Sequence, residues 1–122
     1  MAEFSTSVKD QGDVSIIYLV GYLDAHTAPA LENTFSGLIE RGRYMLVVNF
    51  KDLAYISSAG LGVFMAFIEK IRDNSGDIKL TNMSDKVFNI FDLLGFPLLY
   101  EIFKTEEEAV NKFKETPQQN NN

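Results

Sequence analysis

Residues 45–50 read Met-Leu-Val-Val-Asn-Phe, a run with Asn49 as its one polar residue. A strand with one wet face alternates apolar and polar side chains; this segment does not, so both of its faces need a cover. It is expected in the interior of a parallel or mixed sheet, with further elements packed on each side.

The flanking sequence supplies those elements. Residues 14–20, Val-Ser-Ile-Ile-Tyr-Leu-Val, are rich in β-branched and aromatic side chains and follow the turn pair Gly12-Asp13. They predict a strand, with residues 4–8 as its antiparallel hairpin partner through a turn at 10–13. Thr27, Pro29 and the spacing of Leu31, Phe35, Leu38 and Ile39 predict a helix that starts at Thr27 or Ala28 and stops at Gly42. Residues 51–57 read as a loop and 58–72 as a helix, stopped by a turn cluster over 73–76. A short strand at 78–81 precedes a helix at 85–94 with Val87, Ile90, Phe91 and Leu94 on one face, and residues 99–103 read as a last short strand. Thr105-Glu106-Glu107-Glu108 matches a capping box with acids placed well for the helix dipole, and Ala109, Val110 and Phe113 form that helix's inner face. The order ββαβαβαβα predicts an α/β fold: a mixed sheet with helices packed on it. At 122 residues the chain has the length of one domain. That domain is assigned to residues 1–115, and the Asn/Gln-rich stretch 116–122 reads as a disordered polar tail.

Charge and composition restrict the function. Eleven basic against seventeen acidic residues give a net charge of -6, which opposes a sequence-independent grip on nucleic acid or anionic lipid. With no cysteine and one histidine, thiol chemistry and Cys-type zinc sites are excluded, and neither cofactor nor metal is expected. The first residues lack the basic and apolar regions of a signal peptide, and no apolar run approaches the roughly 18 residues of a membrane span. A cytoplasmic chain, monomeric or weakly dimeric, is the expectation.

The segment richest in chemistry is Asp52-Leu-Ala-Tyr-Ile-Ser-Ser-Ala-Gly-Leu-Gly62, which follows the buried strand and opens a helix. In α/β proteins, sites gather at the carboxyl ends of strands. Ser58 is expected to cap the helix by accepting from the N–H of Gly60 or Leu61, while Ala59, Gly60 and Gly62 leave the first turn open to an approaching group. A phosphate esterified to Ser58 would bring about two negative charges to the positive end of the helix dipole. On local chemistry alone the plain reading, Ser58 as an N-cap only, comes first. The helix carries one apolar stripe at Leu61, Phe64, Met65 and Ile68, ending at Arg72, and a second at Val63, Phe67 and Ile71. The second stripe either packs under a neighbouring helix or forms an exposed surface for a partner.

Other chemistries fail on their motifs. Met65 stands where a dinucleotide loop needs its third glycine, no Gly-Lys-Ser/Thr follows as in a P-loop, and Ile56 replaces the first glycine of a nucleophile elbow. His26, with Asp24 two residues before it, is the one conceivable base for a serine nucleophile, and a lone histidine in a polar loop reads as a surface residue. No enzyme is expected.

Three segments, in order, resemble the STAS domain in the form found in stand-alone anti-sigma-factor antagonists. They are Gly21-Tyr-Leu-Asp-Ala-His-Thr-Ala-Pro-Ala-Leu31, the 52–62 segment, and Val87-Phe-Asn-Ile-Phe-Asp-Leu-Leu-Gly-Phe96 together with Phe103-Lys-Thr-Glu-Glu-Glu-Ala109. The resemblance implies a mixed sheet of four to five strands with about four helices, and a partner-switching cycle. In such a cycle the unphosphorylated protein binds an anti-sigma factor that is itself a serine kinase and so frees a sigma factor; phosphorylation reverses the binding, and a metal-dependent serine phosphatase resets it. Carried over by position, Ser58 is the phosphoacceptor, with Ser57 as the alternative because it stands where many members have Asp. The implied partner surface is Asp24, Thr27, Ser57, Ala59, Gly60, Leu61, Gly62, Val63 and Phe67. A second reading keeps the fold and places a nucleotide, lipid or other small anion at the helix mouth near Ser58.

Overall fold

The structure, a computed structural model, describes residues 4–96 and 99–119, with 116–119 as backbone only. The elements are β1 (Ser5–Gln11), β2 (Val14–Leu23), α1 (Ala28–Glu40), β3 (Met45–Ile56), α2 (Ser58–Asp73), β4 (Asp77–Thr81), α3 (Asp85–Leu93), β5 (Ile102–Phe103) and α4 (Glu106–Gln119). They form an α/β fold with one mixed sheet in the order β1-β2-β3-β4-β5. The β1–β2 pair is antiparallel and the remaining pairs are parallel.

Three crossovers step the same way across the sheet, so the right-handed rule puts α1, α2 and α3 on one face. The larger core lies there: Ile17, Leu19, Leu46, Val48 and Phe50 from the sheet meet Leu31, Phe35, Phe64 and Phe91 from the helices. Four phenylalanines, Phe35, Phe50, Phe64 and Phe91, are fully buried. Each contributes roughly 1.5–3 kcal/mol of burial. Helix α4 covers the opposite face, where Ala109, Val110 and Phe113 pack on Val14, Ile16 and Val47. The run at 45–50 is thus covered on both sides, as its lack of alternation requires.

The hairpin is tied to the end of α1 by a polar knot. Buried Ser15 donates to Asp10 Oδ1 at 2.8 Å and accepts from Arg43 Nε at 2.8 Å, and Arg41 pairs with the other Asp10 oxygen. The bond from Ser15 first, and that from Arg41 second, hold the Asp10 carboxyl below its ordinary value. Lys79, almost fully buried, pins α4: it pairs with Asp77 and Glu101 and lies 4.6 Å from the centre of the Phe113 ring.

Several boundaries move from the sequence reading. Strand β3 runs on to Ile56, through residues 51–56 that read as loop, because Val20, Gly21, Tyr22 and Leu23 pair with Asp52, Leu53, Tyr55 and Ile56 across two register shifts. The shifts flank Gly21, whose φ of +96° is a conformation that favours glycine. Of residues 99–103, only Ile102 and Phe103 join the sheet, while Tyr100 turns into the core. The capping box stands as read: Glu108 N donates to Thr105 Oγ1 at 3.2 Å and Thr105 N to Glu108 Oε1 at 3.1 Å. Of the stretch 116–122, residues 116–119 continue α4 and 120–122 lie outside the described residues.

Candidate functional site

The parallel strands β2 and β3 end together. Leu23 pairs with Ile56, and the Ser57 N–H extends the ladder by one more bond, to the Leu23 carbonyl at 2.9 Å. Asp24 and Ser57 therefore leave the sheet side by side, and the α2 mouth opens next to the β2–α1 loop.

That loop is closed by reciprocal bonds. Asp24 Oδ1 accepts from the backbone N–H of His26 at 2.9 Å and of Thr27 at 3.2 Å. Thr27 Oγ1 accepts from Asp24 N at 2.8 Å and donates to the Tyr22 carbonyl at 2.8 Å. Thr27 is the N-cap residue of α1, yet its hydroxyl is turned back on the strand and makes no cap bond. One carboxylate oxygen of Asp24 is thus committed to shaping the loop. His26 is exposed and bonds Asp24 through its backbone N–H.

The helix mouth differs from the sequence reading at its first residue. Ser57 is the N-cap, in extended conformation (φ -100°, ψ 173°), and its side chain accepts from Gly60 N at 3.4 Å. The Leu61 N–H goes to the Ser57 carbonyl at 3.0 Å, so neither amide expected for the Ser58 hydroxyl is free to bond it. Ser58 is the first helical residue, exposed, and its hydroxyl has no partner among the described residues. The extra ladder bond holds Ser57 extended, as an N-cap requires, and the first helical bond, from Leu61 N–H to the Ser57 carbonyl, starts the helix at Ser58.

Burial sorts the predicted partner surface. Ser58, Ala59 and Gly62 are exposed, and Asp24, Thr27 and Ser57 are partly so. Leu61 and Val63 are in the core, at 1% and 3% exposure, and Gly60 is buried against Leu23. These three therefore offer a partner almost no surface. Phe67 is half-buried, its ring 5.4 Å from that of Phe35 in α1. The second apolar stripe of α2 therefore packs under a neighbouring helix. As the middle helix of its layer, α2 lies against α1 on one flank, while Phe64 meets Phe91 of α3 on the other, 6.4 Å between ring centres.

The family model of the STAS domain matches residues 5–109, nearly the whole of this fold. The chain belongs to the STAS domain family. Among curated STAS relatives, the anti-sigma-B factor antagonist of Bacillus subtilis (strain 168) is 28% identical over 102 residues, 84% of this chain and 92% of the relative. That of Listeria monocytogenes is 28% identical over 92 residues, 75% of this chain and 81% of the relative. Among solved structures, an anti-sigma factor antagonist from Mycobacterium paratuberculosis superposes with a TM-score of 0.82 at 24% identity, covering 90% of this chain and 93% of that one. SpoIIAA in its unphosphorylated form gives 0.77 at 24% identity over 90% and 96%. In its phosphorylated form the Bacillus SpoIIAA gives 0.68 at 23% over 89% and 99%. These likenesses establish the STAS fold. No helix among the described residues is long and apolar enough to cross a membrane.

Proposed function

We propose that this protein is an anti-sigma-factor antagonist switched by phosphorylation of Ser58. The observation that carries the reading is the division of labour at the helix mouth: Ser57 holds the cap, while Ser58 stands exposed and unbonded beside the Asp24 loop. An acceptor hydroxyl has to be reached by a kinase and released from structural bonds, and Ser58 meets both conditions. The curated relatives named as anti-sigma-B factor antagonists support the same reading.

In this cycle the unphosphorylated protein binds an anti-sigma factor with serine kinase activity through Ser58, Ala59, Gly62 and the Asp24–Thr27 loop, and a sigma factor is freed. Phosphorylation adds about two negative charges at the surface where the partner docks. The helix dipole tolerates that charge within the protein. A docked partner does not, because burying the phosphate requires stripping its water beside the Asp24 carboxylate. A metal-dependent serine phosphatase restores the binding form, and the cycle runs in the cytoplasm.

The test is capture of partners from the native host on tagged wild type, Ser58→Ala and Ser58→Asp, with phosphosites mapped by mass spectrometry. Wild type and Ser58→Ala should retain the anti-sigma factor, Ser58→Asp should lose it, and phosphate should map to Ser58. Phosphate on Ser57, or full retention by Ser58→Asp, overturns the assignment.

A further inference from the structure

Helix α4 leaves part of its own face of the sheet bare. It packs low, on Val14, Ile16, Val47 and Met45, at the amino ends of β2 and β3. Toward the carboxyl ends the same face carries Val20, Tyr22 and Tyr55, which are 42%, 46% and 37% exposed. Tyr22 and Tyr55 are register partners, with ring centres 6.2 Å apart and planes tilted by 41°. An exposed apolar and aromatic group of three on adjacent strands is more than the scattered hydrophobes of an ordinary surface.

The rim of this patch is mostly acidic, with Lys51 as an exposed base in β3 beside it. Asp52, exposed, is the register partner of Val20. The first turn of α4, with Glu106, Glu107 and Glu108, begins beside the middle of β3, where Glu106 Oε1 accepts from Asn49 Nδ2 at 3.0 Å. Burial first, and the neighbouring Glu106 second, push up the hydroxyl of the half-buried Tyr18, on the same face between Ile16 and Val20. Faces of tyrosine rings next to carboxylates attract cations, and guanidinium groups above all, because they stack on the ring and pair with the acid together. The chain's net charge of -6 reinforces that preference and disfavours nucleic acid or anionic lipid as the occupant.

We propose that Val20, Tyr22 and Tyr55 form a second docking surface, on the face opposite α1 to α3, for an arginine-bearing segment of a partner protein. It is separate from the Ser58 mouth: Tyr22 and Tyr55 point away from the face on which α2 lies. Occupation of this surface does not depend on phosphorylation, so a partner held here remains attached in both states of Ser58.

The experiment is titration of the isotope-labelled full chain with the synthetic peptide acetyl-(Arg-Val)4-amide, followed by backbone amide shifts, with acetyl-(Glu-Val)4-amide as the control. The arginine peptide should bind saturably with a Kd at or below about 1 mM and shift Val20, Tyr22, Asp52 and Tyr55. The double substitution Tyr22→Ser/Tyr55→Ser, at exposed positions, should keep the folded spectrum and weaken binding about tenfold or more. Ser58→Asp should bind the peptide as wild type does, which separates this proposal from the fate of the phosphoswitch reading. Shifts confined to other acidic residues, equal binding of the glutamate peptide, or binding that survives the double substitution overturns it. Concentration-dependent shifts at the same residues without peptide also overturn it, in favour of a second copy as occupant.

Discussion

Gly60 and Gly62 sit two residues apart in the first turns of α2, and the structure predicts opposite responses to the same substitution. A Cβ built on Gly60 would lie 2.6 Å from Leu23 Cγ and 3.1 Å from both Ile56 Cγ1 and Leu23 Cδ2. Leu23 and Ile56 are fully buried, so neither can swing aside without disturbing the core. Overpacking of this kind costs about 1–3 kcal/mol, and the helix preference of alanine returns at most ~1 kcal/mol of it. Gly60→Ala should therefore destabilise by roughly 1–2 kcal/mol. A Cβ on Gly62 meets nothing within 4 Å, so Gly62→Ala should stabilise by about 0.5–1 kcal/mol. For a chain of 122 residues the melting temperature moves by about 4 °C per kcal/mol, which makes the two variants readily separable. Thermal and urea unfolding followed by circular dichroism measure both. Adding Leu23→Ala removes the clashing Cγ, so the pair Gly60→Ala and Leu23→Ala should cost less together than the sum of the single changes. A Gly60→Ala variant as stable as wild type, or strict additivity with Leu23→Ala, refutes the close-packing argument.

Two further outcomes follow from the polar contacts. Ser57→Ala should lower stability by about 0.5–1 kcal/mol, the low end for a lost N-cap because the 3.4 Å bond is long, whereas Ser58→Ala should stay within about 0.5 kcal/mol of wild type. Urea midpoints decide this, and the reverse ranking returns the cap to Ser58. At Asp10 the folded carboxyl titrates below the ordinary value of 3.8, so the folded state binds fewer protons there than the unfolded chain. Its stabilisation is complete above the unfolded value and fades as pH falls through the folded one. Asp10→Asn should thus flatten the loss of stability as pH falls below 3.8, and a carboxyl-detected titration of wild type should place the Asp10 midpoint below 3.8.

Much of this architecture was legible from spacing. The nearly unbroken apolar run at 45–50 marked a strand covered on both faces, the capping box marked the start of α4, and Leu31, Phe35 and Leu38, all buried, marked the inner face of α1. What stayed hidden depended on contacts between distant residues. The end of β3 looked like a loop because the register shifts opposite Gly21 place Leu53 and Ile56, three residues apart, on the same core. Two adjacent serines can each cap a helix, and the choice depends on where the chain leaves the sheet: Ser57 N is held by Leu23 of another strand while the Ser57 oxygens take the first helical amides. The two apolar stripes of α2 suggested surplus surface; the neighbours α1 and α3, which use that surface up, cannot be read from the helix itself. The aromatic patch at Val20, Tyr22 and Tyr55 was likewise hidden, since its exposure follows from how little of the sheet α4 covers.

The tight seat of Gly60 on Leu23 has a bearing on how a signal at this site is read. The first turn of α2 and the end of β2 are in van der Waals register, and the Asp24 loop grows directly out of that contact. A modification of Ser58 thus enters a surface with little freedom to rearrange. On that proposal a phosphate there would change the electrostatic potential of the mouth more than its shape. Under the proposed cycle the message would be carried as voltage, and the burden of interpretation would fall on the reader: a partner would have to feel a field more than a change of contour.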